Sequence, residues 1–247
     1  MHKVEWDYTS LASHYDKRAD YADEAIDKML SLANPDKGRP IADIGAGTGK
    51  LTKLLLARGF AVLAVEPNDA MRAIGVKNTE GGHATWSVGT GENTGLPSNS
   101  LDLVTFGSSF NVTDRARTLI EVARMLRDHG WFACMWNHRN LDDPLQAECE
   151  RVISEAIPGY DYGTRREDQT AIIRASGLYE EPITIEGRVD NEITPEDFLI
   201  AWKSHATLQR QAGAMFDEII GKLEQLVTDK EKVVVPYTTR IWVARKK

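Results

Sequence analysis

Apolar residues recur along this chain with two periods. Short, mostly apolar runs cover residues 40–44, 60–65, 101–106 and 131–136, and runs of that length bounded by glycine, proline or polar clusters predict buried strands. Residues 84–88 read as a further short strand near a sheet edge. Between these runs the apolar positions fall three and four apart, which predicts helices. Ala25, Ile26, Met29 and Leu30 form such a stripe within 21–32, Leu51, Leu54 and Leu55 within 49–58, and Leu119, Val122, Ala123 and Leu126 within 114–126. Asn68 is a suitable N-cap for another helix that includes Met71. Strands alternating with helices point to an α/β fold around a parallel sheet.

Past residue 141 the pattern changes. Residues 142–176 are helical and loop-rich, interrupted by Pro158-Gly159-Tyr160-Asp161-Tyr162-Gly163. A strand is predicted at 183–189, and Thr194-Pro195-Glu196 opens a helix that runs through Trp202. A helix over 215–226 turns Phe216, Ile219, Ile220 and Leu223 inward, and 233–244 reads as a long closing strand. Pro236 is compatible with that strand at an edge or a bulge. A chain of 247 residues is long enough for one sizeable core. The expected division is a leading flap and helix at 1–33, a core at 40–140, a cover mostly within 141–212, and a last helix and strand at 213–247, all in one domain.

The chemistry concentrates where the first core strand ends. Asp43-Ile44-Gly45-Ala46-Gly47-Thr48-Gly49 links that strand to a helix, and glycines there admit positive φ and let a ligand approach the backbone. The helix amides that follow face the same space. The dinucleotide pattern G-x-G-x-x-G would need glycine at Lys50, and a phosphate loop would need Ser or Thr at Leu51 and glycine at Ile44, so neither fits. The second strand ends in Glu66. An acid at that tip can accept hydrogen bonds from both hydroxyls of a ribose.

These residues make the chain resemble the class I S-adenosylmethionine-dependent methyltransferases. The likeness is carried by 43–49, by Val65-Glu66-Pro67-Asn68 with Met71, and by Gly89-Thr90-Gly91-Glu92-Asn93-Thr94-Gly95-Leu96-Pro97 leading into the strand at 101–106. It spans about the first 140 residues, and the remainder is similar to the variable substrate portion of the small-molecule branch. The resemblance implies a Rossmann-like, doubly wound, seven-stranded sheet with an antiparallel last strand and a helical substrate cover. It implies S-adenosylmethionine as cofactor, held by Asp43, Gly45, Ala46, Gly47, Glu66, Pro67, Met71, Gly91, Glu92, Asn93 and Ser108. Tyr15-Asp16-Lys17-Arg18-Ala19-Asp20-Tyr21 looks like the family's leading segment, which implies Tyr15 and Arg18 near the methionine carboxylate.

Ligands of open α/β sheets lie at the carboxyl ends of the strands, so the acceptor is expected near Phe110 and Asn111 after the fourth strand and Trp136 and Asn137 after the fifth. Trp6, Tyr8, Tyr160 and Trp202 fall in the flap and cover, where aromatic faces suit a planar acceptor. Many relatives have an aromatic-His-Trp run where this chain has Phe110-Asn111-Val112, which removes that loop as a source of a base. His138 is then the candidate base, with His14 behind it.

Composition narrows the partners. A formal charge of −7 and a pI near 5.4 disfavour nucleic acid, which leaves an enclosed small-molecule acceptor as the expected partner. Cys134 and Cys149 are too few for a zinc cluster, so no metal is expected. Met1-His2-Lys3-Val4-Glu5 lacks a secretory signal pattern and no apolar run spans a bilayer, so a cytoplasmic setting without membrane contact is the expectation. Azapteridine N-methyltransferases of the toxoflavin type are similar in length and in the aromatic leading segment, which would make the product a secondary metabolite. A nicotinamide-dependent oxidoreductase and a non-catalytic cofactor-binding module are the competing readings. The acceptor, the choice of nitrogen or oxygen, and the oligomeric state stay open.

Overall fold

The computed structural model describes residues 19–247. Helix α1 (Asp23–Ala33) precedes strand β1 (Ile41–Ile44), and α2 (Lys50–Ala57), β2 (Val62–Val65), α3 (Asp69–Asn78) and β3 (Ala84–Ser87) follow in strict alternation. Strand β4 (Leu101–Gly107), α4 (Arg115–Met125) and β5 (Leu126–Arg139) complete the first half. The second half holds α5 (Pro144–Ala156), α6 (Thr170–Ala175), β6 (Ile183–Ile193), α7 (Pro195–Lys203), α8 (Ala206–Ala212), α9 (Phe216–Gln225) and β7 (Val233–Arg245).

The strands form one seven-stranded sheet in the order β3-β2-β1-β4-β5-β7-β6. All neighbours are parallel except β7, which runs antiparallel to both β5 and β6. From β1 the chain winds outward to β3, then returns to place β4 on the other side of β1. The connections leaving β1 and β4 therefore diverge, which opens the crevice where ligands of such sheets bind.

The sheet's alternation supplies two apolar faces. Ala42, Ile44, Val104, Phe106, Phe132, Cys134 and Trp136 pack under Leu119 and Val122 of α4 and Ile173 of α6. Ile41, Leu103, Ala133, Met135, Ile241 and Val243 pack under Ile26 and Met29 of α1 and Leu51 and Leu55 of α2. A third cluster joins α5, α7, α8 and α9 to Val233 and Val235 at the start of β7. Among the described residues no helix is long and apolar enough to cross a membrane.

Two expectations change. The fifth strand begins at Leu126, not at 131, because α4 stops at Met125 and the β4–β5 register shifts between Leu101 and Leu103. That irregularity takes up residues 127–130, with His129 in the left-handed region at φ 65°. Pro236, expected at an edge or a bulge, stands instead in an interior strand flanked by β5 and β6, in an unbroken β6–β7 register. Pro236 is tolerated because its carbonyl already faces the spot where β5 ends, accepting from the Asn140 amide at 2.9 Å. The missing N–H would point the same way, past the last β5 pair at Arg139 and Tyr237.

Candidate functional site

The turn after β1 is built by backbone that side chains resist. Gly45, Gly47 and Gly49 take φ of 65°, 57° and 83°. A Cβ on Gly45 would lie 2.5 Å from the Ser109 Cβ, because Ser109 is drawn in by a hydrogen bond from its hydroxyl to the Ile44 carbonyl at 2.6 Å. Two amides of the turn, Gly45 and Ala46, donate to the Val65 carbonyl at 2.8 and 3.1 Å. The β1 turn, the β2 tip and the β4 loop are thus one unit.

Glu66 is the centre of that unit. It is 7% exposed, and its two carboxylate oxygens accept separately, from the Gly47 amide and from the Asn68 amide, each at 2.9 Å. Burial pushes its carboxyl above the ordinary 4.5, against the pull of the two amides. Each oxygen retains a lone pair, so the acid can accept two further hydrogen bonds without leaving its place. Asn68 caps α3 by accepting from the Met71 amide at 3.0 Å, and Met71 lies beneath Gly47, its Cε 3.3 Å from where a Cβ would stand. Pro67 is exposed beside them.

Asp43 lies deeper. It is 1% exposed; one oxygen accepts from the Thr52 hydroxyl of α2 at 2.7 Å, while Oδ1 is buried with no partner. Burial, reinforced by the charge of Glu66, pushes its carboxyl up to about 7. The Thr48 hydroxyl in the same turn is likewise buried and unpartnered. An uncompensated buried carboxylate oxygen costs free energy, so the turn is finished only when a donor or a cation arrives.

The loop after β3 closes the far side. Thr90 and Asn93 exchange amide-to-carbonyl bonds at 3.0 and 3.2 Å, with Gly91 buried against Thr113 and Thr118 and Asn93 exposed. Glu92 accepts from the Asp114 amide at 2.7 Å, which anchors the start of α4. Ser108 has φ 59°, and its hydroxyl meets that of Tyr21 at 2.9 Å.

The acceptor-side residues divide. Phe110 is fully buried, its ring 5.5 Å from Phe106 and 5.2 Å from Phe132; the structure corrects its expected role, because no face of the ring is left for an acceptor. Trp136 is also core, edge-on to Trp242 at 5.8 Å, and its indole N–H donates to Asn111 at 3.0 Å. Asn137 is engaged by the chain itself. Its amide donates to the Ala19 and Asp20 carbonyls at 3.3 and 2.8 Å and accepts from Thr239 at 2.6 Å, so it tethers the chain entering α1. Trp202 is 5% exposed and lies under the Arg139 guanidinium, 4.0 Å away. Tyr160 is half-buried, edge-on to Tyr162 at 4.8 Å. His138 pairs with Thr238 one residue before β5 ends. Trp6, Tyr8, His14, Tyr15 and Arg18 lie outside the described residues.

Thr48 and Thr52 belong to the turn and the helix that follows it, and Arg139 meets Gln146 at the end of β5, yet sequence reasoning did not single them out. Arg139 directly follows Asn137 and His138, which sequence reasoning places near the acceptor. The two threonines carry no signal apart from their place in the glycine turn and the helix after it.

Similarity to known proteins converges on the same place. A family of methyltransferase domains matches residues 42–134. An uncharacterized methyltransferase of Mycobacterium tuberculosis is 37% identical over 185 residues, 74% of each chain. A ubiquinone/menaquinone biosynthesis C-methyltransferase of Rubrivivax gelatinosus is 29% identical over 136 residues, 52% of this chain and 53% of that one. The solved structure of the YcgJ protein of Bacillus subtilis superposes with a TM-score of 0.56 at 16% identity, covering 91% of this chain and 98% of that one. That of geranyl diphosphate methyltransferase with S-adenosylmethionine gives 0.51 at 16%, covering 91% and 85%.

Proposed function

Because this chain belongs to the class I S-adenosylmethionine-dependent methyltransferases, we propose that it methylates a nitrogen or oxygen of a small aromatic or heterocyclic metabolite by in-line displacement. The observation that carries the reading is the joint state of Glu66 and Asp43. One is a carboxylate fixed by two backbone amides with lone pairs to spare; the other has a buried, unpartnered oxygen at a glycine turn.

The cofactor brings a methyl group already activated on a cationic sulfur. The chain's own part is to bind, orient and exclude water. Glu66 accepts from the ribose hydroxyls, Asp43 and Thr48 receive a cationic or N–H donor, and the turn amides and Met71 shape the cradle. Holding both reactants in line contributes up to about 7–11 kcal/mol in well-oriented systems. Tyr15 and Arg18 in the leading segment take the methionine carboxylate. Trp6, Tyr8 and Tyr160 enclose the acceptor, together with the third apolar cluster as a cover. His138 serves as base where the acceptor is a hydroxyl. Replacing it with Asn is expected to slow an oxygen acceptor by about 100-fold or more and a neutral ring nitrogen little, read as kcat with each acceptor.

A second reading is methylation at carbon, favoured by the likeness to a quinone-pathway C-methyltransferase. An acidic ring carbon uses the same site, and product analysis by NMR separates the two.

Glu66→Gln keeps the shape and removes the charge, so it should weaken S-adenosylmethionine binding by about 1–3 kcal/mol, measured by titration calorimetry. Unchanged affinity would remove Glu66 from the cofactor site. Tight cofactor binding without methyl turnover on any aromatic acceptor would favour a non-catalytic module.

A further inference from the structure

The carboxyl end of β5 carries a cation that no carboxylate among the described residues compensates. Arg139 lies with its guanidinium 4.0 Å over the Trp202 ring, which fixes the plane of the fork. Its Nη1 reaches the Gln146 carbonyl oxygen only at 3.5 Å. Its Nη2 is buried with no partner, and so is the amide nitrogen of Gln146, a residue with no exposed surface. Among the described residues no carboxylate pairs with Arg139 within 4.0 Å. Glu150, one turn beyond Gln146 on α5, instead accepts the Tyr162 hydroxyl. Two buried donors, one of them cationic, therefore lie on side chains that meet at this point, and among the described residues no acceptor answers them.

Such an arrangement is costly unless something else supplies the acceptors. A carboxylate does: two oxygens, a negative charge, and the planar spacing that a guanidinium fork matches. The strand that carries Arg139 also reaches the cofactor crevice. Asn137, two residues before Arg139, donates to the Asp20 carbonyl, and the Asp20 carboxylate holds Lys50 at 2.7 Å, the first residue of α2 after the glycine turn. Cys149 on the next turn of α5 does not compete as an anion, since burial pushes its thiol up to about 12.

We propose that Arg139 and Gln146 form the end of the acceptor site that holds a carboxylate, so that the methyl acceptor is a small organic acid. This rests on the small-molecule methyltransferase reading and narrows it: the acid group is gripped at the end of β5 while another atom of the same molecule receives the methyl. Trp202 sets the guanidinium plane and Gln146 supplies the second donor, and neither touches the reacting atom.

The test uses the full chain loaded with S-adenosylhomocysteine and three probes, sodium benzoate, its uncharged amide benzamide, and inorganic phosphate, followed by calorimetry and melting temperature. Benzoate is expected to bind saturably and benzamide not. Arg139→Gln and Gln146→Glu should each weaken benzoate binding by about tenfold or more while leaving S-adenosylhomocysteine affinity unchanged. Gln146→Glu is the decisive variant. It supplies Arg139 with an internal carboxylate, so it should hold or raise the melting temperature while blocking the probe, which loss of packing alone would not do. Equal binding of benzoate and benzamide, no saturable benzoate binding, or benzoate affinity unaffected by Gln146→Glu would overturn the proposal. Saturable phosphate without benzoate would overturn the organic-acid assignment. A matching loss of S-adenosylhomocysteine affinity in Arg139→Gln would give the guanidinium to the cofactor and overturn it as well. Failure of the unmodified protein to bind S-adenosylhomocysteine would instead strike the methyltransferase reading itself.

Discussion

Asp43→Asn is expected to make the cofactor-free protein more stable above pH 7 while removing most of its affinity for S-adenosylmethionine. The carboxyl of Asp43 is pushed from its ordinary 3.8 to about 7 in the fold, chiefly by burial. Below about pH 4 it is protonated in both folded and unfolded chains, and its contribution to stability is fully present. Between about pH 4 and 7 the unfolded chain loses the proton while the folded chain keeps it, and stability falls as pH rises until the folded group also ionises. At about 1.4 kcal/mol for each tenfold, the rise from 3.8 to about 7 makes the charged form cost about 4 kcal/mol. The asparagine oxygen can still accept from Thr52, and its amide loses about 1–3 kcal/mol for want of an acceptor. The net gain of about 1–3 kcal/mol at pH 8 corresponds to a rise of a few degrees in melting temperature for a chain of this size, with no gain at pH 4. The same titration governs binding. A cationic ligand prefers the ionised acid, so affinity of the unmodified protein should rise from pH 6 to pH 8, and the variant should lose that dependence. Melting curves at three pH values and calorimetry on the same samples check both halves. A variant less stable than the parent at pH 8, or one that binds cofactor normally, would remove Asp43 from this role.

Phe110→Ala should be the most destabilising single change in the loop after β4. The ring is fully buried between Phe106 and Phe132, and deleting such a side chain costs about 3–5 kcal/mol in transfer and cavity terms together. For a domain of this length that lowers the melting temperature by roughly 10 °C. Acceptor KM in the fraction that stays folded should not move, because the ring faces the core. A small melting shift accompanied by a large KM change would return Phe110 to the acceptor site.

The order of strands and helices was legible because period and punctuation are local. Apolar runs at β1, β2 and β4 and three-four spacing in α1, α2 and α4 are read within a dozen residues, and the glycine turn and the acid after β2 lie within one crossover unit. Glu66 was therefore singled out by its place alone. The burial of Phe110 and Trp136 and the partners of Asn137 were not legible, for one common reason. Standing at the carboxyl end of a strand gives a residue the right address, but which way its side chain turns is settled by partners from distant sequence, Phe132 and Trp242 for the rings and Ala19, Asp20 and Thr239 for the amide.

By itself the sequence determined that this is an α/β chain with an adenosyl-type turn at 43–49 and an acid at position 66, since turn chemistry and strand ends need only neighbours along the chain. The tertiary structure alone decided that Asp43 keeps an unanswered oxygen, that Glu66 is clamped by two amides, and that Arg139 meets Gln146 and Trp202 with no counter-ion among the described residues. Burial and pairing depend on which surfaces the sheet brings together, and no local pattern encodes that meeting.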